Sequence, residues 1–467
     1  MRTVLAAGLA VVLGAVCGPA GGQTVHALRS IEPEDTRFED LGTIGEAIGD
    51  ARVVVLGESD PGDGASLLLK ARLVKYLHDE LGFNVLVWES GMFDAAMLDQ
   101  SLAEGADIRR AMNESADPRW GLSGHALPVY EFAWMSYFGD SPLRMAGVTP
   151  EFSAPDFGQA ERWAPTLGAV ISEHAPSEID EDELAGFVSA ASQAELALET
   201  EDDERIVDVW ERLTLMLERW EEGGVGEAVA ASAGETLAEF WSRSIEDRLV
   251  TFEERMGGFS IDRSSMTWQN ERQRRAGERL AWFADELYAG EKLIVWCETW
   301  SALADPGSIG ATPSRDPIQG AETAGQTWRG ALGDDLYVIA ITSDRGRTGE
   351  AAQDTEAVPA TRDGSLEDVL SRAGAPFVFA DLRALADGEP LAGVRPSKMA
   401  GVALKMRGYG HSGADELVLS ADWREQVDGV VLIRRMFPSR VDGSIPVNGE
   451  LRDGRFGRRG DLKLRDD

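Results

Sequence analysis

Four apolar runs of this chain close on polar, mostly acidic residues. "RVVVLGESD" ends on Glu58, Ser59 and Asp60, and "NVLVWES" ends on Glu89 and Ser90. "KLIVWCET" ends on Glu298 and Thr299, and "LYVIAITSDR" ends on Thr342, Ser343, Asp344 and Arg345. If the runs are parallel strands, their carboxyl ends share one rim, which is where ligands bind in open α/β sheets. Glu58, Glu89 and Glu298 gathered there need cations or shared protons, because carboxylates at short range raise one another's pKa. Lys70 and Arg72 on the following helix, and Arg272 ahead of "KLIVWCE", are the cations at hand. Such a set can bind a small molecule. It can also pair two carboxylates for acid–base work, as in glycoside cleavage, or hold Ca²⁺ or Mg²⁺ with Asp60. Neither of the last two has motif spacing behind it, and no metal or cofactor is expected. The bland alternative is that acids cap helix N-termini, where negative charge is favoured. That is the expectation for Asp60 and Asp63, whereas Glu58 and Glu89, inside apolar strand ends, read as site residues. Cys297 reads as a buried strand thiol, since the adjacent Glu298 has the wrong sign to stabilise a thiolate. There is no G-x-S-x-G, P-loop or C-x-x-C.

Seven short apolar runs, at 52–58, 84–90, 143–148, 292–298, 336–343, 376–382 and 429–436, have the continuous character of strands buried on both faces. "GASLLLKARLVKYLHDELG" between the first two has helical spacing, which makes a βαβ unit and implies a mostly parallel sheet. From about 157 to 287 the pattern turns wholly helical, as in "RIVDVWERLTLMLERWEE", whose Trp and Leu stripe reads as core. The predicted fold is therefore α/β: a mostly parallel sheet flanked by helices, with a largely helical insertion. The domain is expected over 36–440, with a polar tail at 441–467.

The formal net charge is -36 and the sequence pI about 4.5. That balance argues against nucleic acid, whose phosphates demand Lys and Arg, and against an anionic membrane surface. "MRTVLAAGLAVVLGAVCGPAGG" has the charged start, apolar run and small residues of a signal peptide over 1–22. Its apolar run is shorter than the ~20 residues of a membrane span. A secreted or periplasmic location is expected; Val16 ahead of Cys17 fits a lipoprotein signal poorly. Cleavage would leave Cys297 as the sole cysteine.

"LGESDPGDG…LLLKARLVKYLHDELGFNVLVWES" resembles the erythromycin esterase family, in which a strand leads into G-E-[AS]-[ST]-H-G, a helix, "ELGF" and a strand ending in Glu. "WGLSGHALPVYEFAWM", "RQRRAGERLAWFADELYAGEKLIVWCETWSA" and "AGQTWRGALGDDLYVIAITSDRG" follow in the family's order, as do "GSLEDVL", "PFVFADLR" and "VDGVVLI". The likeness runs from about 38 to 437 and is weakest in the insertion. It implies ester hydrolysis, with a macrolide lactone as substrate in the resistance enzymes and a histidine activating water without a required metal. Carried over, the catalytic positions are Glu58, Glu89 and Arg272, with Lys70, Arg72 and Glu298 as binding positions. The departures are sharper. The histidine of the first motif falls on Pro61, and the two of H-N-x-H fall on Glu298 and Ser301. The aspartate and asparagine of the family's R-D-x-x-M-A-x-N fall on Gln273 and Arg279. A general base contributes on the order of 10²–10⁴ in rate, so the family's water activation is expected to be absent. Of the remaining histidines, His26 is near the mature start and His78 on the outer turn of the first helix, while His125 and His411, in loops that could reach the cleft, read as solvated loop residues. The resulting expectation is a catalytically impaired relative, a pseudoenzyme, whose partner is a small-molecule ligand or ester substrate. A hydrolase using Glu58 and Glu89 as acid and base, and a purely structural or partner-binding protein, stay open.

Overall fold

Runs of Val, Ile and Leu with no polar alternate must be covered on both faces, and the fold does this with helices on each side of one sheet. The computed structural model describes residues 25–153, 158–200, 202–256, 266–312, 318–349, 355–387, 389, 391–399, 418–441, 450–452 and 455–457. The expected signal peptide, His411 and most of the expected polar tail lie outside the described residues. The strands in chain order are β1 (Val25–Leu28), β2 (Val53–Glu58), β3 (Val85–Gly91), β4 (Arg144–Thr149), β5 (Leu293–Glu298), β6 (Gly310–Thr312), β7 (Leu336–Thr348), β8 (Glu356–Ala357), β9 (Phe377–Asp381), β10 (Pro396–Ser397), β11 (Val418–Ser420) and β12 (Gly429–Met436). The main sheet has the order β1-β9-β12-β7-β2-β5-β3-β4, with β8 beside β7, and β10-β11-β6 form a small second sheet. From β12 to β4 every pair is parallel. The sheet is mostly parallel, as expected, with β9 running against β12 and β1 against β9.

Because side chains alternate across a strand, the sheet divides its core in two. Val53, Val55, Val295 and Cys297 enter one layer, beneath the helices Met266–Trp282 and Ala324–Leu332. Val54, Leu56, Ile294 and Trp296 enter the other, with Leu67, Leu69, Leu73 and Leu77 of the helix Gly64–Leu81. A third core belongs to the helices inserted between β4 and β5. In the helix Asp203–Glu221, the buried Ile206, Val209, Leu213, Met216 and Trp220 recur at helical spacing.

The insertion is tied to the sheet by a buried ion pair. Asp247, on the insertion helix Glu235–Met256, takes both carboxylate oxygens to Arg279 Nη2, at 2.8 and 2.7 Å. Arg279 Nη1 then donates to the Val148 carbonyl on β4 at 3.0 Å. Removing one member of a buried pair leaves an uncompensated charge. Arg279→Met is therefore expected to cost about 3 kcal/mol in urea unfolding, and adding Asp247→Leu to recover part of it.

Candidate functional site

β2 and β5 pair in register through Gly57↔Cys297 and Glu58↔Glu298, so two carboxylates leave adjacent strands at the same height. Gly57 leaves room for the backbone that follows β5, because a Cβ there would lie 2.8 Å from Thr299 Cα. Glu89 leaves β3 on the other side of β5, one residue past the Trp88↔Trp296 pair. Glu58 lies beside an aromatic group in which the ring centroids of Trp120 and Trp296 are 5.8 and 4.9 Å from that of Trp88. Fully buried charges in such surroundings require partners.

Lys70 supplies the first cation. It is completely buried, donates to Glu58 Oε2 and, at 3.2 Å, to the Cys297 carbonyl, and lies 4.2 Å above the Trp296 ring. Trp120 Nε1 donates to Glu58 Oε1 at 3.0 Å, so both oxygens of Glu58 are engaged. Arg272 supplies the second cation, with Nη1 to Glu89 Oε1 and Nε to Glu151 Oε1, each at 2.7 Å. Ser301 Oγ also donates to Glu89 Oε1 at 2.8 Å, and the Glu298 amide to Glu89 Oε2 at 3.0 Å. Arg119 completes the set. Its Nη2 reaches the Glu89 carbonyl and Asp117 Oδ2, both at 2.8 Å, its Nη1 reaches Glu298 Oε1 at 3.3 Å, and it stacks on Trp120 at 4.4 Å.

The electrostatics follow from burial. Glu58 is pushed up to about 7 by desolvation, which Lys70 opposes and Glu298 reinforces. Burial also pushes Lys70 down. For Arg272 burial disfavours the charge, but Glu151 and Glu89 outweigh it and hold the guanidinium above its usual value. Asp60 is pushed up to about 6 by burial, against the Gly62 amide that donates to its Oδ1 at 2.6 Å. Asp63 rises well above its ordinary value through burial and the nearby Asp60. The Cys297 thiol rises too, through burial and Glu89, as befits an inert strand cysteine.

The structure thus gathers Glu58, Glu89, Glu298, Lys70 and Arg272 into one cluster. Arg72 is elsewhere. Two helical residues apart do not share a face, and the buried Arg72 reaches away to Asp40, at 2.9 and 2.8 Å, and to the carbonyls of Ser30, Asp35 and Arg37. Asp63 occupies the N-cap position of its helix but makes no side-chain capping bond, contrary to the capping expectation, and Asp60 ties its own turn instead. Pro61, Glu298 and Ser301 occupy the histidine positions implied by the resemblance. Ser301 accepts from Gln273 Nε2 at 3.0 Å, and Gln273 Oε1 accepts from the Ala324 amide at 2.9 Å. Arg119 and Glu151 escaped the sequence reading. Arg119 sits in "DPRWG", one of several arginines in that stretch, with only the neighbouring Trp120 to mark it. Glu151 follows the end of β4, where the rule that picked out Glu58 would have found it. Among the described residues no group of His, Cys, Asp or Glu is arranged to hold a metal ion.

The sequence profile of the family described as erythromycin esterase matches residues 78–436. A protein of Bacillus subtilis (strain 168) named as a hydrolase, YbfO, is 22% identical over 375 residues, 76% of this chain and 79% of its own. Among solved structures, the erythromycin esterase EreC, as a histidine-to-asparagine variant in its open conformation, superposes with a TM-score of 0.65 at 15% identity, over 91% of this chain and 100% of that one. A Bacillus cereus protein gives 0.66 at 18% identity, over 90% and 97%. A succinoglycan biosynthesis protein gives 0.59 at 18%, over 90% and 96%. At these identities the structural likeness establishes a shared fold.

Glu58 titrates higher in the fold, at about 7, than its ordinary 4.5, so folding favours its protonated form. Its contribution to stability is complete below the ordinary value and is lost as pH rises through about 7. Urea unfolding at about pH 5 and about pH 8 should therefore show a decline in the wild type that is reduced in Glu58→Gln. Lys70→Met, by removing the opposing cation, should move the Glu58 titration further up in carboxyl-detected NMR.

Proposed function

The chain belongs to the erythromycin esterase family, and from that premise we propose that it is a hydrolase relative with impaired catalysis, which keeps the strand-end cleft to bind a small polar or cationic molecule. One observation carries this reading. The positions of the family's water-activating histidines are Pro61, Glu298 and Ser301, and the last two are bound into hydrogen bonds with Arg119 and Glu89. A proline cannot take a proton, and a glutamate in an ion pair is a poor substitute for a free imidazole. Glu89, accepting from Arg272, Ser301 and the Glu298 amide, acts as a structural acceptor in this reading. The acidic surface, with a net charge of -36, favours a cationic or neutral ligand over an anionic one. The N-terminal residues 1–22 support placing the mature protein outside the cytoplasm.

A second reading, hydrolysis by an altered mechanism, has one observation in its favour: Glu58 is held near neutral, where a carboxyl can both give and take a proton. An ester hydrolysis assay separates the two, using a macrolide lactone and simple aryl esters. The expected outcome is no turnover above buffer for the wild type. Turnover that disappears in Glu58→Gln and in Glu89→Gln would overturn the impaired-enzyme reading in favour of the second.

A further inference from the structure

The chain does not stop at the rim after β12. Residues 437–441 double back across the acidic turn that follows β2. The Ser439 amide donates to the Gly62 carbonyl at 2.8 Å, and Pro438 bridges Asp63. Val441 bridges Ser123, the Gly124 amide donates to the Arg440 carbonyl at 2.8 Å, and the hydroxyls of Ser123 and Ser439 share a 2.6 Å hydrogen bond. The approach leaves Gly64 no room for a side chain. A Cβ there would lie 2.8 Å from the Pro438 carbonyl oxygen and 2.9 Å from His125 Nδ1.

His125 is wedged into this junction, not solvated as its loop sequence suggests. Its ring centroid lies 5.3 Å from that of Phe437, and Nδ1 is buried with no hydrogen-bond partner among the described residues. A neutral imidazole can leave one nitrogen without a proton, whereas the imidazolium carries two N–H donors and would bury one of them unmet. The surrounding charges act in the same direction. Arg440 on the doubled-back segment is cationic, and the 18-residue helix Gly64–Leu81 presents its positive end at Gly64. On the turn, burial pushes Asp63 well toward its neutral form, and it pushes Asp60 up to about 6, so Asp60 takes up its proton as pH falls through about 6. On the histidine's own segment, Asp117 and Arg119 are paired at 2.8 Å. Burial, followed by Arg440, pushes His125 below the ordinary 6.5.

We propose that residues 437–441 form a strap latched over the acidic turn by neutral His125, and that protonating this ring releases the strap and frees the turn at the mouth of the site. The latch depends on the packing of the turn and not on turnover, so it holds whether or not the site hydrolyses anything. A group whose pKa is lowered by docking contributes fully above its free value, and the contribution falls as pH drops through about 6.5. Each unit by which docking lowers that pKa corresponds to a tenfold weakening of the latch in acid.

The test uses the full chain. Hydrogen–deuterium exchange of peptides covering 437–441 and 120–126 is compared at about pH 7.5 and about pH 5, corrected for intrinsic rates, while NMR follows the His125 ring. The wild type should lose about tenfold in protection of both segments in acid, for each unit of pKa depression. His125→Gln, which cannot be charged, should keep its protection at both pH values. Ser439→Pro, which deletes the amide donated to Gly62, should return the His125 pKa toward 6.5. Protection in the wild type that does not change with pH, or a His125 that titrates at or above 6.5, overturns the proposal. Should His125→Gln fail to fold, the wild-type titration and Ser439→Pro decide the matter by themselves.

Discussion

Like charge at the ends of neighbouring parallel strands is the constraint from which the rest of this structure follows. In-register pairing of β2 with β5 brings Glu58 beside Glu298, and β3 adds Glu89. A slip of register that would separate them would also carry the side chains of β2 from one core layer into the other and disturb the packing of both. The charge must therefore be met from elsewhere. Lys70 comes from the helix Gly64–Leu81, Arg272 from the helix Met266–Trp282, and Arg119 from the short helix Pro118–Gly121. Each of the three elements is held where it is partly by the carboxylate it neutralises. A buried pair of this kind adds little net stability, but losing one partner is costly. The cluster fixes arrangement more than it supplies energy.

The same logic accounts for the positions that depart from the family pattern. Ser301 and Gln273 lie between Glu89 and the start of the helix Ala324–Leu332, in a chain of hydrogen bonds from carboxylate to hydroxyl to amide to backbone. Glu298 spends its carboxylate on Arg119. These residues hold one another in place without a titrating imidazole.

Much of the fold was legible because continuous apolar runs and three-to-four spacing are local signals. β2, β3, β5 and β12 stand where the runs placed them, and the stripe in the helix Asp203–Glu221 is buried. What was not legible depends on distant partners. β1 is four residues long and exists because β9 offers it an edge. The thirteen-residue β7 continues past its apolar portion because β12 and β8 pair with its polar continuation. Within the site, the strand-end rule found the acids, and two of the three cations came from their proximity in sequence. Arg119 did not, since its role is set by where a short helix lands. Lys70 and Arg72 are two residues apart, a spacing that sends them to opposite sides of one helix, and the loop sequence around His125 carries no sign of residues 437–441 lying over it.

The position of β12 has a consequence for how the chain reaches this state. The last strand of the main sheet is not at its edge; it lies between β7 and β9, and β1, the first strand, is attached only through β9. Until residues 429–436 are available, β7 presents an open, apolar edge, and both β9 and β1 lack their place. Closing the sheet on this side therefore waits for the C-terminal part of the chain, a long-range pairing of the kind that slows folding and lengthens the time an unpaired strand edge is exposed.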